Sequence, residues 1–243
     1  MSGRVAFVTG AARGIGAAVA LRLAREGVAV AVADREDASG IAESIEESGG
    51  RALVLRVDVS DPDAATCAVD RAAEWGGGLD FACNNAGVPG IRAEVADYPD
   101  DVFWRVQRVN LGGVFACLRA ELRHMLAAGG AVVNTASGAA FAGVPSSSAY
   151  VASKHAIAGL TKTAAVEYAA RGIRVNAVAP GLVRTRLVEG LADESFVAAH
   201  PAGRPAEPEE VAEAVWWLLN APFVTGVVLP VDGGLLARVP GLS

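Results

Sequence analysis

Residues 4–16 read RVAFVTGAARGIG, and the alanine-rich run AAVALRLAR follows at 17–25. The apolar and β-branched residues up to Thr9 predict a strand, and the run from position 17 predicts a helix. Glycines at 10, 14 and 16 allow a tight turn between the two elements, and they let a pyrophosphate approach the backbone N–H groups at the helix N-terminus. The segment therefore predicts a dinucleotide site at a strand-to-helix turn.

Strand-like and helical segments alternate along the rest of the chain. The predicted strands lie at 4–9, 28–33, 52–57, 79–83, 131–135, 174–178 and 227–230, and the predicted helices at 14–26, 37–48, 62–75, 99–127, 149–171 and 208–219. Such alternation is typical of an α/β fold, here a doubly wound (Rossmann) seven-stranded parallel sheet with helices on both faces. We expect one dinucleotide-binding and catalytic domain over 1–243.

One long irregular stretch lies near 182–207. A stretch of that length in a compact domain is typical of a substrate lid or binding loop, and a poorly ordered insertion is the alternative. We expect it to close over the substrate.

Composition excludes several classes of protein. The chain has 243 residues and a net charge of −6 without a basic stripe, so we expect no nucleic-acid partner. No apolar run approaches the roughly 20 residues of a membrane span, and the N-terminus shows no secretory leader. Three widely spaced cysteines and three scattered histidines favour a reducing, cytoplasmic location and no metal site.

A Tyr-x-x-x-Lys pair, Tyr150 and Lys154, begins thirteen residues after Ser137. On a helix the two side chains share one face. A phenol with a pKa near about 10 is a poor base at neutral pH. A Lys ammonium roughly 4 Å away, at an effective dielectric of about 20, favours the phenolate by about 4 kcal/mol. Taken alone, the pattern also fits an ordinary surface pair.

Several motifs in this order resemble the short-chain dehydrogenase/reductase family, single-domain type. The glycine spacing is Gly-x-x-x-Gly-x-Gly directly after Thr9. Asn84–Gly87 closes the fourth strand, Asn110 lies in the fourth helix, Pro180-Gly181 follows the sixth strand, and residues 231–234 read VDGG. The resemblance covers nearly the whole chain.

The resemblance implies a catalytic set of Asn110, Ser137, Tyr150 and Lys154. Tyr150 transfers the substrate hydroxyl proton, Lys154 lowers the tyrosine pKa and bonds the nicotinamide ribose, and Ser137 holds the substrate oxygen. Asn110 bends the fourth helix and holds a water that leads to Lys154; a core amide satisfied by its neighbours is the alternative. The implied reaction interconverts a secondary alcohol and a ketone by hydride transfer, without a metal.

The cofactor is expected to be NAD. Asp34, at the end of the second strand, can accept both ribose hydroxyls and repels a 2′-phosphate. Arg13 and Arg35 argue for NADP, because either could pair with a phosphate. The cofactor-binding residues implied by the resemblance are Gly10, Arg13, Gly14, Ile15, Gly16, Asp34, Arg35, Asp58, Val59, Asn85, Ala86, Gly87, Tyr150, Lys154, Pro180, Gly181, Val183 and Thr185.

The substrate is expected to be a small, hydrophobic or weakly polar alcohol or ketone. Candidate pocket residues, for which core packing is the alternative, are Val88, Ile91, Ala139, Phe141, Leu182, Leu187, Leu191 and Phe196. Two rival functions remain open: a catalytically silent nucleotide-binding redox sensor, and an epimerase or dehydratase. The complete Asn-Ser-Tyr-Lys set disfavours the first, and the short C-terminal region disfavours the second.

Adjacent aromatic residues predict an assembly. Neighbours on a helix point about 100° apart, so Trp216 and Trp217 can hardly face the same core, and Phe103 and Trp104 raise the same question. In the family the corresponding helices pair across two-fold axes. We therefore expect a homotetramer with D₂ symmetry, with partial cover of each Trp by its own loops as the alternative.

Overall fold

The computed structural model describes residues 3–186 and 197–237. Its seven strands form one parallel sheet in the order β3-β2-β1-β4-β5-β6-β7. They are β1 (Val5–Thr9), β2 (Ala29–Asp34), β3 (Ala52–Arg56), β4 (Phe81–Asn84), β5 (Gly130–Thr135), β6 (Ile173–Pro180) and β7 (Val228–Val231). The predicted fold class is confirmed. The strand order reverses between β1 and β4, and ligands of such sheets bind at the carboxyl edge of that reversal.

Seven α-helices cover the sheet in the described part of the chain. They are α1 (Gly14–Arg25), α2 (Ser39–Glu47), α3 (Pro62–Gly76), α4 (Asp100–Gln107), α5 (Gly113–Met125), α6 (Ser148–Tyr168) and α7 (Pro208–Asn220). The helix predicted over 99–127 is divided in two, because a π-helical turn at Arg108–Gly112 joins α4 to α5.

Both faces of the sheet are buried. Successive strand residues enter opposite apolar clusters: Phe7 packs with residues of α3, α5 and α6, and Val8 packs with residues of α1, α2 and α7. Val132 and Val133 of β5 divide in the same way. Because side chains alternate along a strand, a strand that is buried on both faces is a continuous apolar run. This is why the strands could be predicted from the sequence.

The described residues contain neither a membrane-crossing helix nor a ready metal site. None of the helices within them is long and apolar enough to cross a bilayer. They also hold no cluster of three or more His, Cys, Asp or Glu side chains suited to a metal ion.

Candidate active site

The glycine turn after β1 is shaped by close backbone approaches. Gly10 and Gly14 have φ of +65° and +58°, a region that favours glycine. A Cβ on Gly16 would lie 2.1 Å from the carbonyl oxygen of Gly10, so no side chain fits there. The turn therefore leaves the N-terminus of α1, whose first N–H groups have no partner within the helix, beside open space.

The loop after β4 is tied to this turn. The Thr9 hydroxyl accepts the backbone N–H groups of Asn85 at 2.9 Å and of Ala86 at 3.1 Å. A Cβ on Gly10 would meet the Cα of Ala86 at 2.9 Å. The two loops thus pack directly against each other and form the floor of a cleft at the point where the strand order reverses.

The cleft has a volume of about 420 Å³. It collects Ser137 and every predicted cofactor residue except Gly16, which lies beneath Gly10. It is also bordered by residues outside the predicted cofactor set, namely Ala33, Glu36, Val57, Val88, Pro89, Val109, Thr135, Ala136 and Arg186. Below, the end that holds Ser137, Tyr150 and Lys154 is called the Tyr150 end, and the end that holds Arg13, Asp34 and Glu36 is called the Asp34 end.

At the Tyr150 end, α6 carries Tyr150 and Lys154 on one face, as predicted. The Lys154 side chain is 4% exposed, and its Nζ donates to the carbonyl oxygen of Thr135 at 2.7 Å. The same Nζ lies 5.5 Å from the centroid of the Tyr150 ring. The Ser137 side chain is close enough to the Tyr150 hydroxyl to lower its pKa. The three predicted side chains therefore meet in one place.

Burial governs the ionisation of this end. It raises the pKa of Tyr150 above its usual value, and the Ser137 side chain only partly offsets the effect. Burial also lowers the pKa of Lys154 to about 8. The predicted lowering of the Tyr150 pKa by Lys154 is thus not what the structure shows. The cause is desolvation of the phenolate, while the ammonium is engaged with the Thr135 carbonyl.

Asn110 lies in the π-helical turn, fully buried and outside the cleft. Its Oδ1 accepts the N–H of Val88 at 2.8 Å, and its Nδ2 donates to the Val88 carbonyl and to the Ser153 hydroxyl, both at 3.0 Å. Ser153 in turn donates to the Tyr150 carbonyl at 2.7 Å. These bonds match the alternative of an amide satisfied by its neighbours. They also link the turn to the backbone of Tyr150, a connection through Ser153 that the sequence did not predict.

At the Asp34 end the charges are paired. The Asp34 carboxylate accepts the N–H of Ala12 at 3.0 Å and that of Glu36 at 2.9 Å. The Arg13 guanidinium forms a two-pronged ion pair with Glu36, with Nη2 to Oε1 at 2.6 Å. This hydrogen bond raises the pKa of Arg13 and lowers that of Glu36. The sequence predicts that Arg13 is available to a phosphate, whereas in the structure it is paired with the carboxylate of Glu36.

Gly181, at the end of β6, is held by residues distant in the chain. A Cβ there would meet the Nε2 of His200 at 2.8 Å and the Cα of Asp232 at 2.9 Å. His200 is buried, and its Nε2 accepts the N–H of Leu182 at 3.0 Å. Beyond it Val183 bridges to Ala206, so the segment that leaves β6 is anchored at two points.

Comparison with known proteins places this arrangement in a family. A family model described as enoyl-(acyl carrier protein) reductase matches residues 10–236. A cis-4-hydroxycyclohexanecarboxylate dehydrogenase of Sinomonas cyclohexanicum is 47% identical over 241 residues, which cover 96% of this chain and 97% of the relative. The chain belongs to the short-chain dehydrogenase/reductase family. A cyclohexanol dehydrogenase of Acinetobacter sp. (strain SE19) is 42% identical, over 97% of this chain and 96% of its own.

Solved short-chain dehydrogenases share the fold. Levodione reductase superposes with a TM-score of 0.94 at 35% identity, over 97% of this chain and 98% of the other. Carveol dehydrogenase from Mycobacterium avium, solved with NAD, superposes with a TM-score of 0.92 at 31% identity, over 98% of this chain and 99% of the other. A putative 2-deoxy-D-gluconate 3-dehydrogenase from Agrobacterium tumefaciens, solved with NADP, superposes with a TM-score of 0.90 at 39% identity, over 98% of both chains. Members of the family with this fold therefore bind either dinucleotide.

The predicted substrate residues of this short-chain dehydrogenase/reductase divide into four groups. Val88 borders the cleft. Ala139 and Leu182 are buried away from it, whereas Ile91 and Phe141 are 41% and 49% exposed. The remaining three, Leu187, Leu191 and Phe196, lie outside the described residues.

The structure brings two residues to the site that the sequence analysis does not include, His200 and Glu36. Nothing in the sequence around His200 predicts its contact with residue 181. Glu36 is different, because an acidic residue two positions after Asp34 and near a glycine-turn arginine could have suggested an ion pair.

Proposed function

We propose that this protein is an NAD-dependent oxidoreductase that interconverts a secondary alcohol and a ketone, with Tyr150 as general acid and base. One observation carries the proposal. Ser137, Tyr150 and the buried Lys154 line the same cleft as the glycine turn. A proton-transfer group and a dinucleotide cradle within one cleft are what alcohol oxidation requires.

The residues present fit a dinucleotide. Gly10 and Gly14 keep the backbone free of side chains where a pyrophosphate would meet the start of α1, and the dipole of that helix favours negative charge. Each oxygen of Asp34 accepts one N–H and keeps further acceptor capacity for a ribose hydroxyl. When bound, the nicotinamide supplies or takes up the hydride.

Asp34 favours NAD over NADP. A 2′-phosphate would bring about −1.5 to −2 charges against its carboxylate. The relatives solved with NAD and with NADP show that family membership alone does not select between them. The local charges are therefore the basis of the proposed preference.

Proton transfer is assigned to the Tyr150 end. In ketone reduction the Tyr150 hydroxyl gives its proton to the substrate oxygen, which Ser137 also bonds. The raised pKa of Tyr150 keeps the phenol protonated and ready for this step at neutral pH. In alcohol oxidation the phenolate of Tyr150 accepts the substrate hydroxyl proton. The Nζ of Lys154, 5.5 Å from the ring centroid, supplies positive charge beside it.

The substrate is proposed to be an alicyclic secondary alcohol or its ketone. The two relatives above act, by their names, on cyclohexanol and on a hydroxycyclohexane carboxylate. Val88, Pro89 and Val109 give the cleft an apolar wall on the side of β4 and α4. A hydrophobic ring suits such a wall.

Assembly and location are also proposed. Trp104 on α4 and Trp217 on α7 are 60% and 53% exposed, whereas Trp216 packs edge-on against Phe81. Two exposed tryptophans on separate helices fit a homotetramer of single-domain protomers of 1–243. The proposed location is the cytoplasm. Cys67, Cys83 and Cys117 are unpaired, which suits a reducing compartment.

The decisive experiment is an activity assay on the purified protein. Alicyclic secondary alcohols are supplied with NAD or with NADP, and formation of reduced cofactor is followed by absorbance. We expect turnover with NAD. Cofactor binding without turnover of any alcohol or ketone would favour the redox sensor, and isomerised or dehydrated product without net cofactor reduction would favour the epimerase or dehydratase.

A further inference from the structure

The Asp34 end contains an ion pair whose acidic partner, Glu36, was not among the predicted cofactor residues. Arg13 and Glu36 are joined through both guanidinium Nη atoms and both carboxylate oxygens. Their side chains are 45% and 41% exposed, and both residues border the cleft. The pair thus lies where an adenosine ribose would be bound.

Asp34 sets this pair in place. One of its oxygens accepts the N–H of Glu36, and the other accepts the N–H of Ala12, the residue before Arg13. A single carboxylate therefore fastens the two backbone segments from which the partners extend. Because the segments are held together, the ion pair needs little further ordering of the chain.

The edge of a guanidinium formed by Nη1 and Nη2 suits either a carboxylate or a phosphate. Glu36 occupies this edge of Arg13, so a 2′-phosphate must displace it to bind both Nη atoms. Displacement breaks both contacts between Arg13 and Glu36. The displaced carboxylate would also remain beside the phosphate, together with Asp34, and oppose its charge.

The other cations of the cleft share this environment. Arg35 follows Asp34 directly and is close enough to Asp58 and Glu36 to influence the pKa of both, and Arg186 acts on Glu36 from the segment after β6. Removing Glu36 would therefore leave Arg13, Arg35 and Arg186 facing a phosphate with Asp34 as the nearest opposing charge at the ribose. The balance would shift toward NADP.

We propose that Glu36 is a positioning residue for cofactor choice, which acts by holding Arg13 away from the 2′-phosphate of NADP. This inference rests on the proposed preference for NAD. It assigns the selectivity to two carboxylates. Asp34 bonds the ribose, and Glu36 neutralises Arg13, which would otherwise bind the 2′-phosphate.

The test is a double-mutant cycle read by calorimetric titration with NAD⁺ and with NADP⁺, which needs no substrate. We expect Glu36→Gln to tighten NADP⁺ binding by about tenfold, the value of one freed charge-assisted contact, and to change NAD⁺ binding by less than about threefold. Arg13→Gln alone should barely change NADP⁺ binding, because Glu36 already occupies Arg13. In the double variant most of the gain should vanish.

Glu43→Gln is the matched control, since it removes an equal charge from an exposed site on α2. It should leave both affinities unchanged. The inference is overturned if wild type prefers NAD⁺ but Glu36→Gln leaves NADP⁺ binding unaltered, or if the gain survives in the double variant. A wild-type preference for NADP⁺ would instead overturn the proposed cofactor itself. Glu36→Ala provides a second variant, in which the Nη atoms of Arg13 have no side-chain partner at position 36.

Discussion

At the Tyr150 end of the cleft the ionisable groups are buried, whereas at the Asp34 end they are exposed and paired with one another. Burial raises the pKa of Tyr150 and lowers that of Lys154, so each charged form is disfavoured. At the other end hydrogen bonding raises the pKa of Arg13 and lowers that of Glu36, so each charged form is favoured.

The contrast follows from the work proposed for each end. Burial keeps Tyr150, the proposed proton donor in ketone reduction, in its protonated form, and it brings the charged and neutral forms of Lys154 closer in energy near pH 8. A group that selects between two ligands by charge must keep its charge throughout. We expect changes at the Tyr150 end to act mainly on turnover, and changes at the Asp34 end to act mainly on the choice of cofactor.

The largest expected effect is that of Tyr150→Phe. Losing the proton-transfer group should lower turnover by at least about 10²-fold, with NAD⁺ binding and the unfolding midpoint near those of wild type. Tyr168→Phe, at the far end of the same helix, is the matched control and should keep full activity. Near-normal turnover in Tyr150→Phe would remove the proposed role of this residue.

Asp34→Ala should act on selectivity. Loss of its charge-assisted bonds to the ribose should narrow or reverse the ratio of kcat/KM for NAD over NADP, by about tenfold to a hundredfold. Because Asp34 also fastens the segments that carry Arg13 and Glu36, the ion pair should loosen as well. A variant with an unchanged ratio would show that the carboxylate does not choose the cofactor.

The pH dependence should differ between the two reaction directions. Since the pKa of Tyr150 is raised, oxidation, which needs the phenolate, should become faster as pH rises through neutrality, by at most about tenfold per unit. Reduction, which needs the phenol, should stay level over the same range. Profiles of kcat/KM in both directions provide the measurement, and an oxidation rate independent of pH would contradict the assignment.

A buried carboxyl group outside the cleft tests separately whether burial shifts a pKa in this protein. Glu121 of α5 is fully buried, accepts a bond from Asn84 Nδ2 at 2.9 Å, and has a pKa raised by burial to about 8. Between its usual pKa of 4.5 and about 8 the unfolded chain has released this proton while the folded chain keeps it. Stability should therefore fall as pH rises through that window, by at most about 1.4 kcal/mol per unit.

Glu121→Gln should remove that slope while keeping an oxygen for Asn84. Denaturant titrations of both proteins from pH 5 to pH 8 give the comparison, and parallel curves would show that Glu121 does not titrate as proposed.

Much of the site was predictable because its motifs sit at strand ends. Parallel strands bring their carboxyl ends to one edge, so the glycine turn, Asn85 and Gly181 had to meet once the strands were recognised. The shared face of Tyr150 and Lys154 followed from helical periodicity, whereas Ser137 was implied by the resemblance to the family. Asn110 was found in the expected helix, but its side chain bonds Val88 and Ser153, partners that no local spacing reveals.

By itself, the amino-acid sequence determined the alternation of strands and helices, and with it the order of motifs along the cleft. Those depend on local periodicity and on the conformational freedom of glycine, which act over a few residues. Only the tertiary structure decided the pairing of Arg13 with Glu36, the contact of His200 with the segment after β6, and the direction in which the Tyr150 pKa moves. Each of these depends on which distant groups share a space and on how much water is excluded from it, and neither is encoded in local spacing.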